Sequence, residues 1–384
     1  MFARLRSLIV LAAFAALAAG CSGAKTEPSS GQAASGTDAQ TATGFKIGIM
    51  TGTVSQNEEE FRAGQQIEAK YPGRVKHVTY PDNFMQEQET VIAQLTGLAA
   101  DPDVKVIVVG QAVPGSVEAA RKIREQRPDI LIGFVEPHQD PVLVNAACDI
   151  AVQPDQMERG NTIIAEAAAM GAKTFVHYSF PRHMSQELLA RRRDIMKTAA
   201  AKQGIKFEFV TAPDPMAEGG LPATQQFVLE DVGRQLTKFG PATAFFSTNC
   251  GMQEPMIKSI LTAGKGYVPE QCCPSPSHGY PGALGIAIPK EKAGDMAFIS
   301  SENRRIIAEH NMSGHFGTWV AAESMVAMRA VVDLLIAAVD KKADHKDMAT
   351  VQKYMAAEAG APVRIRRYDD KGNQYLVLLD HQVY

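Results

Sequence analysis

The chain has 384 residues, with 39 lysines and arginines against 42 aspartates and glutamates, for a formal net charge of −3. Acidic and basic residues are mixed throughout, so no basic stripe argues for nucleic acid, and small molecules or proteins are the expected partners. Five cysteines in a chain of this length do not make a dense disulfide framework.

The chain opens with a positively charged start at Arg4 and Arg6, followed by an uncharged apolar stretch from Leu8 to Ala19. That stretch is too short for a hydrocarbon layer that needs about 20 helical residues, so residues 1–20 are read as a cleaved signal peptide. Leu17, Ala18, Ala19 and Gly20 lead directly into Cys21, an arrangement that resembles the lipobox of bacterial lipoproteins. The resemblance implies cleavage before Cys21 and fatty acylation of that residue, with chains such as palmitate holding the protein to a membrane. The expected location is the periplasmic or extracellular face of a bacterial membrane, with inner and outer membrane both open. Residues 21–44 follow as a tether dominated by Ser, Gly, Ala, Thr, Gln and Pro, without aromatic residues. Such a segment cannot repay its ordering entropy by burial, and as a coil it would span roughly 25–30 Å.

From Phe45 the pattern alternates. Strands are predicted over 45–50, 75–80, 104–109, 130–134 and 148–152, with helices over 56–70, 85–98 and 116–126, the last capped by Ser116. A second cycle follows, with helices over 156–170, 186–202, 223–239 and 252–263 and strands over 173–178, 205–210 and 242–246. Then come a strand over 282–288, a long helix over 318–338 and a hairpin over 363–367 and 375–379 that turns at residues 370–373. Glu323, Arg329 and Asp333 interrupt the long helix, which favours burial in the protein over a membrane span. Two successive α/β series imply two lobes, each a parallel sheet covered by helices.

This layout resembles the type I periplasmic binding-protein superfamily, and within it the chain is identified as a member of the DUF3798 family of bacterial lipoproteins, over nearly everything from Phe45 onward. The resemblance implies two Rossmann-like lobes joined by multiple crossings around a central ligand cleft. It divides the chain into 45–153 (first part of the N-terminal lobe), 154–264 (first part of the C-terminal lobe), 265–345 (return to the N-terminal lobe) and 346–384 (completion of the C-terminal lobe). One local match is Ala242–Met252, ATAFFSTNCGM. Where sugar-binding members carry an Asn-Asp pair, Asn249 is kept and Cys250 replaces the aspartate, so a carboxylate that commonly accepts sugar hydroxyls is missing.

In an open α/β sheet, side chains just past the carboxyl ends of the strands converge on the crevice. That geometry selects Thr51 and Thr53 after the first strand, and Gln111 after the third, which could instead cap the next helix. After the fourth strand it selects Glu136 and His138, suited to an ammonium and a polar acceptor, or to a solvent-facing turn. In the second lobe Tyr178 and Phe180 are candidates for packing on a planar or apolar group, and Arg182 for pairing with a carboxylate or phosphate. The alternative is interlobe core for the two aromatics and an exposed surface for Arg182. Arg159 is a candidate contact near the first crossing, whereas Asp155 is read as a helix cap. Asn249 completes the strand-end set. The breaker-rich run from Cys272 to Pro281 places His278 and Tyr280 on the hinge side of the cleft. Cys272 and Cys273 could form a vicinal disulfide, bind a soft metal or remain plain thiols, and no metal or cofactor is expected.

No GxSxG, GxxxxGK[ST] or HExxH pattern is present in the sequence, so the reading is a binding protein and not an enzyme. The expected role is capture of a small organic solute by lobe closure, for delivery to an ABC-type membrane permease. An amino-acid-like, nucleoside-like or aromatic carboxylate solute fits the mixed candidate set. A sensory lipoprotein is the alternative, with a periplasmic enzyme behind it.

Overall fold

In the computed structural model, which describes residues 44–370 and 372–384, buried β-branched runs and amphipathic stretches assemble into two α/β lobes. The leader, Cys21 and all of the tether but Gly44 lie outside the described residues, as does Lys371 in the expected hairpin turn.

The first lobe opens with β1 (Lys46–Thr51), α1 (Val54–Lys70), β2 (Val75–Thr79), α2 (Gln88–Ala99) and β3 (Val104–Val109). It continues through α3 (Ser116–Gln126), β4 (Leu131–Val135), α4 (Pro141–Ala147) and β5 (Ile150–Pro154). The second lobe contains α5 (Gln156–Ala169), β6 (Thr174–Ser179), α6 (Pro181–Met184), α7 (Glu187–Lys202), β7 (Lys206–Thr211), α8 (Gly220–Phe239) and β8 (Thr243–Ser247). A 3-10 turn (Cys250–Met252), α9 (Gln253–Ala263), α10 (Tyr280–Leu284) and α11 (Met296–Glu309) complete that run. The chain ends with β9 (Gly317–Trp319), α12 (Glu323–Val339), α13 (Met348–Ala359), β10 (Val363–Arg367), β11 (Gln374–Leu379) and β12 (His381–Val383).

The first lobe's sheet has seven strands in the order β10-β11-β5-β4-β3-β1-β2, parallel except for the antiparallel β10–β11 pair. The second lobe's sheet runs β7-β6-β8, all parallel. Single bridges from Ala244 to Tyr267 and from Val268 to Phe316 extend it.

Among the described residues three chain passages connect the lobes, and each is visible as a change of core. Val152 packs in the first lobe, whereas Ile163 and Ile164 pack in the second. Phe316 belongs to the second lobe and Trp319 to the first. Leu379 lies in the first and Tyr384 in the second. The latter two passages run through β9 and β12, which pair antiparallel to each other.

Several expectations are corrected. The return to the first lobe occurs at β9, not at residue 265, because Val268, Tyr280 and Ile307 pack in the second lobe's core. Residues 346–384 do not complete the second lobe: β11 pairs with β5, which leaves the terminal Tyr384 as the contribution of this stretch to the other core. The strand expected over 282–288 is instead helix α10, with Pro281 in its first turn and Gly285 in the left-handed region (φ 69°) at its end. A short apolar run cannot distinguish those two outcomes. The long helix starts at Glu323, because Thr318 and Trp319 are taken by the crossing strand. Ser116 does not cap α3. Gly115 (φ 102°) occupies the cap position, and Gln139 Oε1 accepts from the Val117 N–H at 3.1 Å.

Helix α12 is the central brace of the first lobe, and its burial on nearly every side explains its apolar composition. Gly133 permits the close approach, since a Cβ there would lie 2.5 Å from Val331 Cγ1. Two of its charged residues find partners: Arg329 binds Glu358 at 2.7 Å, and Asp333 accepts from the Tyr71 hydroxyl at 2.7 Å and from Lys70 at 2.5 Å. No described helix is long and apolar enough to cross a membrane.

The second sheet carries one costly residue. His177 on β6 is fully buried against Phe207, Phe209 and Phe246, and neither ring nitrogen has a hydrogen-bond partner. Burial, then Arg192 and Arg193, push its pKa down to about 3. His177→Leu is therefore expected to raise the unfolding free energy by about 1–2 kcal/mol in urea titrations, by removing two unsatisfied polar atoms. A loss of stability would show instead that the imidazole is satisfied.

Candidate functional site

Strands β1, β3 and β4 end at the same edge of the first lobe, and just beyond two of them the backbone turns into the left-handed region at Gln111 (φ 51°) and Glu136 (φ 48°). That conformation costs a non-glycine residue about 1–2 kcal/mol, and such strain gathers where side chains must be aimed. Helix α1 supplies the neighbouring acids. Asn57 leaves helical geometry (φ −154°, ψ 92°), and its side chain caps the Glu60 N–H at 3.2 Å, so the helix proper restarts at the cleft edge.

Glu60 is fully buried, with Oε1 unpartnered and Gly52 N–H 3.5 Å from Oε2. It fits because Gly110 has no Cβ, which would lie 2.7 Å from Oε2. Burial, then the charge of Glu136, pushes its pKa well above the ordinary carboxyl value. Glu323, at the start of α12, is also buried. Neither of its oxygens meets a conventional donor, but the side chain faces Glu136. Burial, then the charge of Glu136, pushes its pKa well above the ordinary carboxyl value, and burial raises that of Glu136 as well. Glu59 accepts from the Ser277 hydroxyl and, at 3.3 Å, from Ser324 Oγ.

The facing edge of the second lobe offers His183, whose Nδ1 lies 3.2 Å from Thr248 Oγ1, itself 2.7 Å from Ser179 Oγ. Burial is the main cause that lowers its pKa to about 4. His138, from the first lobe, is also lowered to about 4, by burial and then by the charges of His183 and Arg182 across the gap. Its ring nevertheless has solvent access. Dense surroundings combined with access are what a side chain inside a cleft experiences.

The floor is the loop that begins at Glu270. Arg159 reaches it from α5: Nε donates to Glu270 Oε1 at 2.8 Å, and one terminal nitrogen donates to the carbonyls of Gln271 (2.7 Å) and Cys272 (2.9 Å). Trp319 Nε1 donates to the other Glu270 oxygen at 2.7 Å. This clamp presents Cys272 and Cys273 to Cys250, which opens the turn after β8. The three sulfurs lie within 4.8 Å of one another, with Cys250 and Cys273 at 2.6 Å. Hydrogen bonds from Cys250 and Cys273, then the guanidiniums of Arg192 and Arg159, hold Cys272 well below the usual thiol pKa. Glu136 and His183 lie within electrostatic range of Cys272. The site therefore has an acidic first-lobe wall, an imidazole-bearing second-lobe wall and a thiol floor.

Of the residues chosen by strand-end geometry, Gln111, Glu136 and His138 stand at this cleft. Thr51 is buried, with its hydroxyl 2.8 Å from His77 Nε2. Thr53 caps α1 and binds Asp82 at 2.5 Å. Arg159 is committed to the floor, and Asp155 caps α5 while Arg366 pairs with it. Tyr178 is buried in the second lobe's core, its hydroxyl donating to Asp231 at 2.8 Å. Phe180 lies in the same core beneath His183. These aromatics follow the strand's inner face, so they do not form the expected planar platform. Arg182 forks onto Asp214 with two bonds of 2.8 Å. Asn249 caps the 3-10 turn through Gly251 N–H. His278 is half-buried, its carbonyl accepting from Gln271, and Tyr280 is buried with its hydroxyl on Gly317 O at 2.8 Å.

Strand-end reasoning missed Glu59, Glu60, His183, Glu323 and the sulfur trio. The run Asn57-Glu58-Glu59-Glu60 reads as an ordinary solvated helix face, and only the interruption of an apolar helix by Glu323 carried a signal.

The profile of the family described as protein of unknown function DUF3798 matches residues 45–317. An uncharacterized protein of Treponema pallidum (strain Nichols) is 37% identical over 207 residues, covering 52% of this chain and 91% of the relative. Among solved structures, a Clostridium difficile 630 protein described as a transcriptional regulator superposes with a TM-score of 0.77 at 23% identity, covering 88% of this chain and 99% of its own. A sugar ABC substrate-binding protein from Bordetella parapertussis 12822 gives 0.56 at 13% identity, covering 88% of each chain. An ABC periplasmic solute-binding protein from Actinobacillus succinogenes 130z with bound D-allose gives 0.53 at 14% identity, covering 78% and 93%. The fold is that of the type I periplasmic binding proteins.

Proposed function

The chain belongs to the DUF3798 family, and from that premise we propose that it is an extracytoplasmic receptor that captures a small organic solute by lobe closure. The observation that carries this reading is the cleft itself: ionisable groups from both lobes converge between bodies joined by three passages, two of them the paired strands β9 and β12. Closure that buries a ligand gives a membrane partner a distinct state to recognise. An ABC-type permease is the proposed partner, and acylated Cys21 the proposed anchor, on the outer face of a bacterial membrane.

The wall chemistry narrows the solute. Tyr178 and Phe180 are core residues and Arg182 is paired, which weakens the case for an aromatic carboxylate. Glu59 and Glu136 favour a solute with a cationic or donor-rich end, such as an amino-acid-like amine. Sugars are bound by structural neighbours, but here Cys250 stands where sugar-binding members carry a carboxylate.

Trp319 is the chain's single tryptophan and sits on β9, so its emission should report closure directly. Full chain carrying Cys21→Ser, screened against amino acids, polyamines, nucleosides and sugars, is expected to show a saturable Trp319 signal together with thermal stabilisation. Glu136→Gln should weaken that binding about 10–100-fold with the fold retained, the loss of one charge-assisted contact. A screen in which no compound moves either signal, or an unchanged affinity in Glu136→Gln, would overturn the reading.

A further inference from the structure

Cys272 and Cys273 are adjacent in sequence, and spacing alone pairs them with His278. The fold replaces that partner with Cys250, brought from the end of β8, and all three sulfurs lie within 4.8 Å of one another. We propose that Cys250, Cys272 and Cys273 form a three-sulfur site for one thiophilic d10 metal ion, of the class of Zn(II), Cd(II) or Cu(I), on the floor of the cleft.

The geometry suits the ion. A metal–sulfur bond of about 2.3 Å sets the sulfur–sulfur edge of a trigonal site at about 4 Å. The trio already spans that scale, with Cys250 and Cys273 to be spread from 2.6 Å by the bound ion. Three cysteines from two separate segments also supply what an adjacent pair lacks, since Cys250 approaches from a different backbone.

The supporting shell is present as well. Arg159 grips the carbonyls of Gln271 and Cys272 while bound to Glu270, which fixes the loop bearing two of the ligands. Asn249 Oδ1 accepts from Gly251 N–H at 2.9 Å and fixes the turn bearing the third. Ligands oriented by outer hydrogen bonds are the mark of a built metal site.

Charge supplies an independent argument. Arg192 is fully buried over the Phe246 ring, yet its Nε and one terminal nitrogen have no hydrogen-bond partner, while its other terminal nitrogen is held by Gln156. A buried guanidinium with free donors calls for an anion. Three thiolates around a divalent ion carry a net charge of −1, and around a monovalent ion −2, so the loaded trio provides one beside Arg192 and Arg159. All three cysteines retain partial solvent access, which leaves the ion a route in and out. The site goes beyond solute capture and does not depend on the identity of any permease.

The test uses full chain carrying Cys21→Ser, reduced under anaerobic conditions and titrated with Cd(II) alone. The expected result is one equivalent bound, an ultraviolet thiolate-to-metal charge-transfer band, and protection of three thiols from alkylation, leaving buried Cys148 outside the set. Cys250→Ser should weaken binding on the order of 100-fold or more, whereas Cys148→Ser should leave it unchanged. Circular dichroism establishes that each variant is folded, and Cys273→Ser carries the same expectation should Cys250→Ser fail to fold. Absence of the band, binding indifferent to both substitutions, or a mass two hydrogens light with a Cys250–Cys273 cross-link that resists reduction would overturn the proposal. Solute binding is read separately through Trp319, so loss of one result does not mimic loss of the other.

Discussion

Replacing Arg159 with methionine is expected to lower the unfolding free energy by roughly 3–5 kcal/mol, the usual cost of leaving a buried charge without its partner. Arg159 and Glu270 are both buried, and Glu270 would retain only the Trp319 indole N–H as a donor. The guanidinium also donates to Gln156 at 3.1 Å and to two loop carbonyls, so the loop carrying Cys272 and Cys273 loses its anchor. Arg159→Lys should rescue little, because a compact ammonium cannot span Glu270, Gln156 and both carbonyls at once. Arg159→Met with Glu270→Gln should recover a large part of the loss, since the orphaned charge is removed. Urea unfolding followed by far-ultraviolet circular dichroism checks both variants. A single-variant loss below about 1 kcal/mol, the range of an exposed pair, would show that the ion pair is not holding the crossing.

Glu323→Gln is expected to abolish much of the alkaline loss of stability. Burial and Glu136 raise the Glu323 pKa well above 4.5, its ordinary value. The folded protein therefore keeps a proton that the unfolded chain releases above that value. Unfolding then releases protons, and stability falls as pH rises from about 5 toward the folded pKa, with a slope of up to one proton per such group. Glu60 contributes in the same direction. The imidazoles act oppositely. His138 and His183 are lowered to about 4 and His177 to about 3, so their contribution is present above about pH 6.5 and is lost as pH falls through the folded values. Stability measured by urea unfolding should peak where these opposing slopes balance, and Glu323→Gln should flatten only the alkaline side. Equal alkaline slopes in the parent and Glu323→Gln would refute the assignment. The same titration bears on function: a cationic solute seated against Glu136 should expel the Glu323 proton, and proton release on binding is measurable in weakly buffered solution.

Much of the fold was legible because its signals are local. Valine-rich runs such as Val104–Val109 and the cap at Asp155 announce themselves within one turn or strand. Helices α4, α11 and α13 were not anticipated; they are amphipathic at best and owe their place to packing. The candidate site was legible only in part. Glu136 and His138 follow directly from the end of β4, whereas Tyr178 and Phe180 were misplaced because sequence position does not say which face of a strand meets the cleft.

The sequence by itself determined the two α/β series, the strand-end position of Glu136 and the lipobox-like approach to Cys21, since each is written in consecutive residues. Tertiary structure alone decided the lobe to which β10 and β11 belong, the burial of Glu60 and Glu323, and the meeting of Cys250 with Cys272 and Cys273. Those outcomes depend on chain passages between lobes, as with Arg159 and Glu270, 111 residues apart. Periodicity reports a residue's relation to its own helix or strand, but the partner across a crossing is chosen by how the layers pack.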